Sequence, residues 1–354
     1  MKTTKTIKCR RQRGDLDIMV TIKDISKQCD VSPATVSKAL NGYGDVGKET
    51  TERILRAARE MHYMPNAAAR QLKTNTSHNI GVVFEDETMS GLTHEYFSQI
   101  LNSAKNTVEA LGYDITFVSQ TIGGRSFTEH CRYRKCDGVL IASVDFRSPA
   151  VRELIESEFP TVTIDYSFND HSCVMSDNVN GAYRLGHYLY DKGHRKIAFI
   201  HGEETSVTQK RLSGFYKACG ELGIDVPEEY VIEGRYHDTK VSAEATRRLM
   251  ELKDPPTAIM YPDDFSYIGG SNQCERMGIS IPGDLSVVGY DGIHLSQVIR
   301  PKLTTWYQDA ARIGEVSGRK LVESIEHKKS CVAEELLVEG KLLEGQTVRD
   351  ISEN

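Results

Sequence analysis

Short apolar runs alternate with longer helical stretches over most of this chain. Seven runs of four to six residues have the length and composition of buried strands. They are 79–84, 114–119, 138–142, 161–165, 196–201, 258–261 and 286–290, and the helical stretches between them are 95–111, 178–191, 208–222, 242–252 and 265–277. Strands that alternate with helices form parallel sheets with right-handed crossovers. The sequence therefore predicts an α/β fold with two doubly wound parallel-sheet subdomains and a ligand cleft at the carboxyl ends of the strands.

Charge is divided unevenly along the chain. The whole sequence carries 44 basic and 50 acidic side chains, but residues 1–75 hold 15 basic and 8 acidic ones, a net charge of +7. The rest of the chain keeps 29 basic and 42 acidic side chains, a net charge of −13. A basic N-terminal head favours a nucleic-acid partner, whereas an acidic body does not.

The head contains a helix-turn-helix pattern. Thr21 is a predicted helix N-cap, with Asp24 three positions later as in a capping box. After a polar interruption, Ser32 is a predicted N-cap with Pro33 at the first helical position, and the second helix ends before Gly42. A third helix is predicted over 48–61. Two short helices joined by a tight turn also occur as an ordinary helical hairpin, so this alternative stays open on the helices alone.

In a helix-turn-helix motif, the first residues of the second helix meet base edges in the major groove. The predicted DNA-binding residues of the head are Thr21, Ser32, Pro33, Ala34, Thr35, Ser37, Lys38 and Asn41. The small side chains of Pro33 and Ala34 favour apolar contact with a thymine methyl. Lys38 has the charge to bind a guanine or a phosphate.

A short segment after the third helix is a predicted hinge. Pro65 can begin a helix of about two turns, which is too short to be stable alone in water. Leu72 lies between two basic residues, an arrangement that suits a wedge between base steps in the minor groove. A linker leucine that rests on the body is the alternative. The predicted DNA contacts of this segment are Asn66, Ala69, Arg70, Leu72 and Lys73.

Together these features resemble the lactose-repressor/galactose-repressor family of bacterial regulators. The matching motifs are residues 21–42, Tyr63-x-Pro65-Asn66 and Ala69-Arg70-x-Leu72, followed by Asp177-Asn178-x-x-Gly181, Gly193-His194-Arg195-Lys196, Arg211-Leu212-x-Gly214-Phe215, Ile281-Pro282-x-Asp284-Leu285 and Pro301-x-Leu303-Thr304-Thr305. In that family the hinge helices of a dimer pair in the minor groove and a leucine intercalates, a role that falls to Leu72 here. The body is similar to the periplasmic sugar-binding fold, with three crossovers between subdomains.

The resemblance covers roughly residues 20–340 and implies a domain organisation. Residues 1–18 are a basic extension that precedes the usual family start, and translation from Met1 or Met19 stays open. The helix-turn-helix domain is 19–65, the hinge helix and linker are 66–77, and the effector-binding and dimerisation domain is 78–345. Within that domain the N-subdomain is about 79–177 with a return over 309–335, and the C-subdomain is about 178–308.

The family's effector pocket can be carried over by position. The effector-binding residues that the resemblance implies are Tyr96, Phe97, Asp165, Arg211, Tyr236, Asp263, Asp291 and Gln308. Carboxylate, amide and guanidinium groups bind hydroxyls, and aromatic rings cover the C–H faces of a sugar, so a mono- or disaccharide is the expected effector. The aromatic residues of this set can also be plain core. Arg211 can serve as a structural partner of Asp165 or Asp291, and Asp291 can merely cap the next segment. Trp306 can line the pocket rim or fill the core.

The expected function is that of a cytoplasmic, sequence-specific transcriptional regulator, a repressor more often than an activator, which binds a pseudo-palindromic operator as a homodimer. A solute-binding protein and a doubly wound enzyme with an accessory DNA-binding head are the alternatives. No HExxH, GxSxG or properly placed phosphate loop occurs, so we expect no catalysis. Eight scattered cysteines without zinc-site spacing indicate reduced thiols, and we expect no metal, cofactor or membrane partner.

The Leu72→Ala substitution tests the predicted wedge. A wedge needs a base step that opens, so its loss should weaken binding to a specific operator more than binding to random duplex DNA. Titration of both duplexes with wild type and variant measures the two losses. Equal losses on the two duplexes would remove the wedge role.

Overall fold

The computed structural model describes residues 20–64, 76–85, 90–120 and 123–352. The chain divides into two compact units, residues 1–77 and 78–354, which we call the head and the body. The basic extension 1–18 and the predicted hinge residues Asn66, Ala69, Arg70, Leu72 and Lys73 lie outside the described residues, so their predicted roles stay predictions.

The head consists of three helices around a small apolar core. They are α1 (Ile22–Gln28), α2 (Pro33–Leu40) and α3 (Lys48–Glu60). The predicted caps are present: the Thr21 backbone N–H and hydroxyl donate to the Asp24 carboxylate over 2.9 and 2.6 Å, and the Ser32 hydroxyl accepts from the backbone N–H of Thr35 over 3.1 Å. The core consists of Ile25, Cys29, Val36, Ala39, Ile54, Ala57 and Ala58. The helix-turn-helix prediction is confirmed.

The body is built from strands and helices in alternation. The strands are β1 (Asn79–Phe84), β2 (Asp114–Val118), β3 (Gly138–Ser143), β4 (Thr161–Ile164), β5 (Ser172–Ser176), β6 (Ile197–His201), β7 (Val231–Glu233), β8 (Ala258–Met260), β9 (Ser286–Asp291), β10 (Thr304–Tyr307), β11 (Glu335–Val338) and β12 (Lys341–Leu343). The helices are α4 (Glu95–Ala110), α5 (Phe127–Arg134), α6 (Pro149–Ile155), α7 (Asn178–Asp191), α8 (Ser206–Glu221), α9 (Thr239–Met250), α10 (Asp264–Arg276), α11 (His294–Val298) and α12 (Ala310–Glu326). Single 3₁₀ turns cover Gly91–Thr93 and Glu228–Tyr230.

The strands form two six-stranded sheets, each with helices on both faces. The first has the order β11-β5-β4-β3-β1-β2, and the second has the order β12-β10-β9-β8-β6-β7. Neighbouring strands are parallel except for β10 and β12. Separate apolar cores fill the two faces of each sheet. The predicted α/β fold with two doubly wound subdomains is confirmed, and we call the subdomains the first and second lobes.

The chain passes between the lobes three times, after β5, after β10 and after β11. The structure differs from the sequence-based boundaries at the C-terminus, where we expected the return to end at 335 and the body at 345. The first lobe takes in all of β11, and the second lobe keeps the chain to residue 352. There the Thr347 hydroxyl donates to the Val287 carbonyl over 2.8 Å, and the Ile351 N–H donates to the Lys192 carbonyl over 2.8 Å.

Seven of the eight cysteines lie within the described ranges, and all seven are free thiols, as the sequence predicts. Six of them are buried, and Cys331 is partly exposed. Within the same ranges, no helix is both long enough and apolar enough to cross a lipid bilayer.

A pair of glycine substitutions tests the packing of the second lobe. A Cβ at Gly269 on α10 would lie 1.8 Å from the backbone carbonyl oxygen of Thr239, whereas a Cβ at Gly220 on α8 would meet nothing within 4 Å. Gly269→Ala should therefore lower the free energy of unfolding by at least about 1–3 kcal/mol. Gly220→Ala should raise it by up to about 1 kcal/mol, because alanine favours a helix.

Urea denaturation of the two variants beside wild type measures both effects. Equal stabilities for the two variants would contradict the close approach of α9 and α10.

Candidate functional site

The predicted base-reading residues of the head lie on one side of α2. Pro33, Ala34, Lys38 and Asn41 are exposed and Ser37 is half-buried, while Val36 and Ala39 point into the core. A helix that presents small and polar residues opposite its buried face is the form in which side chains enter a major groove.

Several hydroxyls predicted to bind DNA already have partners within the head. Those of Thr21 and Ser32 take part in the helix caps, and the Thr35 hydroxyl lies 2.9 Å from that of Ser32. Asn41 donates its side-chain amide to the Ser37 carbonyl over 2.6 Å. Lys38 forms an ion pair with Asp45, a residue to which the sequence pattern assigned no role.

In the body, a chain of hydrogen bonds joins residues from both lobes at the carboxyl ends of the strands. The Tyr96 hydroxyl, on α4 of the first lobe, lies 3.3 Å from the Asp165 carboxylate and 3.5 Å from the Gln308 side-chain oxygen, and these two acceptors share its one proton. The Gln308 amide in turn donates to the Asp291 carboxylate of the second lobe over 2.6 Å. Four residues that the resemblance implied are therefore in one cluster.

Arg211 lies beside this cluster and is only 4% exposed. Its Nε donates to the Asn178 side-chain oxygen over 2.8 Å, and its Nη1 donates to the Pro262 carbonyl over 2.7 Å. Its guanidinium carbon lies 3.5 Å from the ring centre of Tyr290. These contacts use only part of the five N–H donors of an arginine, and its charge acts on the carboxylates of Asp165 and Asp291.

Burial governs the ionisation of the cluster. It raises the pKa of Asp165, and it raises the pKa of Asp291 well above its ordinary value, although the Arg211 charge opposes both shifts. Burial also raises the pKa of Tyr96, with the two carboxylates adding to the shift. Such displaced values in a cleft are typical of functional sites.

Tyr236 and Asp263 complete the second-lobe side of the cleft. The Tyr236 hydroxyl lies 2.8 Å from the Thr208 hydroxyl, and its ring packs on Gly202, where any Cβ would lie 2.0 Å from it. The Asp263 carboxylate caps α10 by accepting from the Ser266 N–H over 2.7 Å, and it also accepts from the His237 N–H over 2.8 Å. The Asp263 side chain therefore has local partners, and its predicted contact with an effector stays a prediction.

Aromatic rings from both lobes stack at one side of the cleft. The His94 ring lies on His237 at 4.2 Å between centres, and His237 lies on Phe265 at 3.9 Å. Phe97 packs its edge against His94 at 4.9 Å and contacts Tyr96 at 5.2 Å. The stack lines a cavity of about 120 Å³, which Tyr96 and Asp291 also reach.

The backbone is constrained at the same place. Asp165, His237 and Asp291 have φ values of 59°, 56° and 101°, in the left-handed region that non-glycine residues rarely adopt. Such conformations persist where the surrounding structure enforces them, and they concentrate at functional sites.

Comparison with known proteins identifies the family. Residues 21–66 match the family of bacterial regulatory proteins called lacI, and residues 187–348 match the periplasmic binding protein-like domain. The chain is 34% identical over 320 residues to the HTH-type transcriptional repressor PurR of Mannheimia succiniciproducens, which covers 88% of this chain and 93% of that protein. The chain belongs to the lacI family of bacterial regulatory proteins. A further relative, the HTH-type transcriptional repressor PurR of Vibrio vulnificus, is 31% identical over 322 residues, 88% of this chain and 93% of that protein.

Solved structures show the same fold over almost all of this lacI-family chain. The lac repressor dimer bound to operator and the anti-inducer ONPF has a TM-score of 0.78 at 24% identity and covers 93% of this chain and 99% of its own. The complex of the transcriptional regulator CelR with cellobiose has a TM-score of 0.69 at 22% identity, with the same coverage. Together, the family match and the PurR relatives show that the chain is a DNA-binding transcriptional regulator, with a helix-turn-helix head and a periplasmic-binding-protein-like body.

Sequence reasoning missed some residues of the lacI-family cleft. His94, His237 and Phe265 line the cavity, and each lies within two residues of a position that the resemblance did give. Asn178, which holds Arg211, lies in a matched motif without having been assigned a role. Trp306 is 3% exposed and packs in the core of the second lobe, which settles its two alternatives in favour of the core.

Asp264 is a further buried carboxylate, next to Asp263. It accepts from the Thr305 hydroxyl over 2.6 Å and from the Ile293 N–H over 3.0 Å, and so joins α10, β10 and the chain after β9. Burial raises its pKa to about 7, from 3.8. The folded state therefore holds a proton on Asp264 at pH values where the unfolded chain has lost it.

This difference predicts how stability depends on pH. The contribution of Asp264 to the free energy of unfolding is complete below pH 3.8 and is lost as pH rises through about 7. In the wild type, this carboxyl should make the free energy of unfolding fall by up to about 1.4 kcal/mol per pH unit between pH 5 and pH 7. Asp264→Asn should lack that part of the fall. Denaturant titrations across that range give the two slopes.

Asp284→Asn is the matched control. Its hydrogen bonds with Ser280 lower the pKa of Asp284, so it does not titrate in this range. Parallel stability curves for wild type and Asp264→Asn would contradict the assignment.

Proposed function

We propose that this lacI-family regulator is a repressor that acts in the bacterial cytoplasm. It binds a pseudo-palindromic operator as a homodimer, with one recognition helix from each protomer in the major groove. A small polar effector in the cleft between the lobes controls its affinity for the operator. The names of the relatives support repression, and the exposed side of α2 supports the DNA contact.

The observation that carries the effector site is the chain of hydrogen bonds from Tyr96 through Gln308 to Asp291. It joins side chains of both lobes at a site that also holds Asp165 and the buried Arg211. A ligand that replaces or bridges these bonds has different contacts in each arrangement of the lobes. It therefore shifts the balance between arrangements by its differential affinity, and couplings of this kind are typically worth about 1–3 kcal/mol.

The chemistry of the site favours a sugar. Asp165, Asp291 and Gln308 supply acceptors and a donor for hydroxyl groups, and Arg211 supplies charged donors. Phe97 and Tyr236 supply apolar ring surface. The cavity of about 120 Å³ is below the ~300–1,000 Å³ of typical ligand sites, so we place a monosaccharide ahead of a disaccharide and expect the lobes to separate when it enters.

The ring stack supports a second candidate, a planar nitrogen heterocycle such as a purine or pyrimidine base. His94, His237 and Phe265 lie almost parallel, with interplanar angles of 20° and 9°, and a flat ring can stack in the same manner. The buried carboxylates can then accept from ring N–H groups.

Thermal-shift titrations of the full chain separate the candidates. One panel holds monosaccharides and disaccharides, and the other holds purine and pyrimidine bases; a ligand of the native state raises the melting temperature. For the ligand that binds, Arg211→Lys should weaken affinity at least about tenfold, because a charged hydrogen bond contributes about 1.5–3 kcal/mol.

Operator affinity without ligand should persist in Arg211→Lys. Arg247→Lys is the matched control, since the Arg247 side chain is 40% exposed and pairs only with Glu244 and Glu251 in the described structure. An unchanged ligand affinity in Arg211→Lys would discard the proposed site.

A further inference from the structure

The chain that follows the recognition helix α2 places the acidic residue Asp45 beside Lys38, the basic residue of that helix. Gly42 has a φ of +73° and ends the helix, after which the Tyr43 N–H donates to the Lys38 carbonyl over 3.1 Å. This is the Schellman arrangement, which turns the chain back over the last turn of a helix. Asp45, two residues further on, then lies within reach of the Lys38 side chain.

The contact between the two side chains is an ion pair in which the Lys38 ammonium donates to the Asp45 carboxylate. Both side chains remain about half exposed, at 50% and 55%. Lys38 is the one basic residue in the sequence of α2, and it lies on the same side as Pro33, Ala34 and Asn41. The pair therefore belongs to the surface that faces bases in a helix-turn-helix head.

Pairing changes what Lys38 can recognise. A free ammonium binds any phosphate as a point charge, which adds affinity without sequence preference. A lysine with a carboxylate beside it has little net charge to offer a phosphate, and it presents a donor and an acceptor next to each other. A G·C base pair shows the complementary pattern in the major groove, with guanine O6 and N7 as acceptors and the cytosine amino group as a donor.

We infer that Asp45 is a specificity-determining residue of the head, which holds Lys38 away from phosphates so that the two side chains read one G·C base pair together. This inference rests on the DNA-binding role of the head and adds a residue to it. An exposed ion pair contributes little to stability, so a purely structural role for Asp45 predicts small effects that do not depend on DNA sequence.

The test uses the full chain as wild type, Asp45→Asn, Lys38→Met and the double variant. Each protein selects from a library of duplexes with randomised pseudo-palindromic half-sites, and each is titrated with one duplex of random sequence over a range of salt concentrations. Glu60→Gln is the control: it changes the charge of the head equally, from the last turn of α3.

The wild type should select a G·C pair at one half-site position that Asp45→Asn and Lys38→Met both relax. Asp45→Asn should also bind the random duplex more tightly, with a salt slope steeper by about 0.9, the value for one added phosphate contact. The steeper slope should vanish in the double variant and be absent in Glu60→Gln.

An Asp45→Asn variant that keeps the G·C preference and the wild-type salt slope overturns the inference while DNA binding stands. An equal increase in Glu60→Gln also overturns it, because general charge then explains the effect. If the wild type selects no sequence at all, the result contradicts the proposed function, and with it the inference that depends on sequence-specific binding.

Discussion

The buried cation of Arg211 is the group on which the cleft depends. Two hydrogen bonds and the ring of Tyr290 hold it where water has little access. An uncompensated charge in such a place costs several kcal/mol, and here Asp165 and Asp291 supply the opposite charge. Arg211 and Asp291 belong to the second lobe and Asp165 belongs to the first, so both lobes place ionisable groups around this buried cation.

Two of the three crossings between the lobes have the same local structure. The first and second crossings each end on an aspartate that caps the next helix: Asp177 accepts from the Asn180 N–H over 3.1 Å, and Asp309 accepts from the Arg312 N–H over 3.0 Å. Both have a ψ of 74°. The Asp177 N–H also donates to the Val338 carbonyl over 3.2 Å, next to the third crossing. The first and third crossings are therefore hydrogen-bonded to each other, and the second crossing begins at Gln308, a residue of the cleft cluster.

The sequence predicted the strands that bury a strong apolar pattern and missed those that do not. All seven predicted strands exist, within a residue or so at each end. The strands of residues 172–176 and 304–307 were missed because polar residues interrupt their apolar pattern, and the strands of residues 231–233, 335–338 and 341–343 were missed because they are too short to show one. The pocket positions came from the family resemblance, and the structure joins four of them, Tyr96, Asp165, Asp291 and Gln308, in one hydrogen-bonded cluster beside Arg211. The stack of His94, His237 and Phe265 and the Lys38–Asp45 pair depend on loop geometry, which no local pattern encodes.

Operator recognition and its regulation therefore depend on different groups of this chain, the side chains of the head and the effector site of the body. Exposed cations such as Arg53, Arg56 and Arg59 on α3 attract any duplex, so their number cannot distinguish one sequence from another. Selectivity has to come from the side of α2 that carries Pro33, Ala34 and Asn41, where charge is sparse and shape and hydrogen bonds decide. On the proposed mechanism, an effector in the acidic body leaves those side chains unchanged. It can then alter how tightly an operator is held without altering which operator is read.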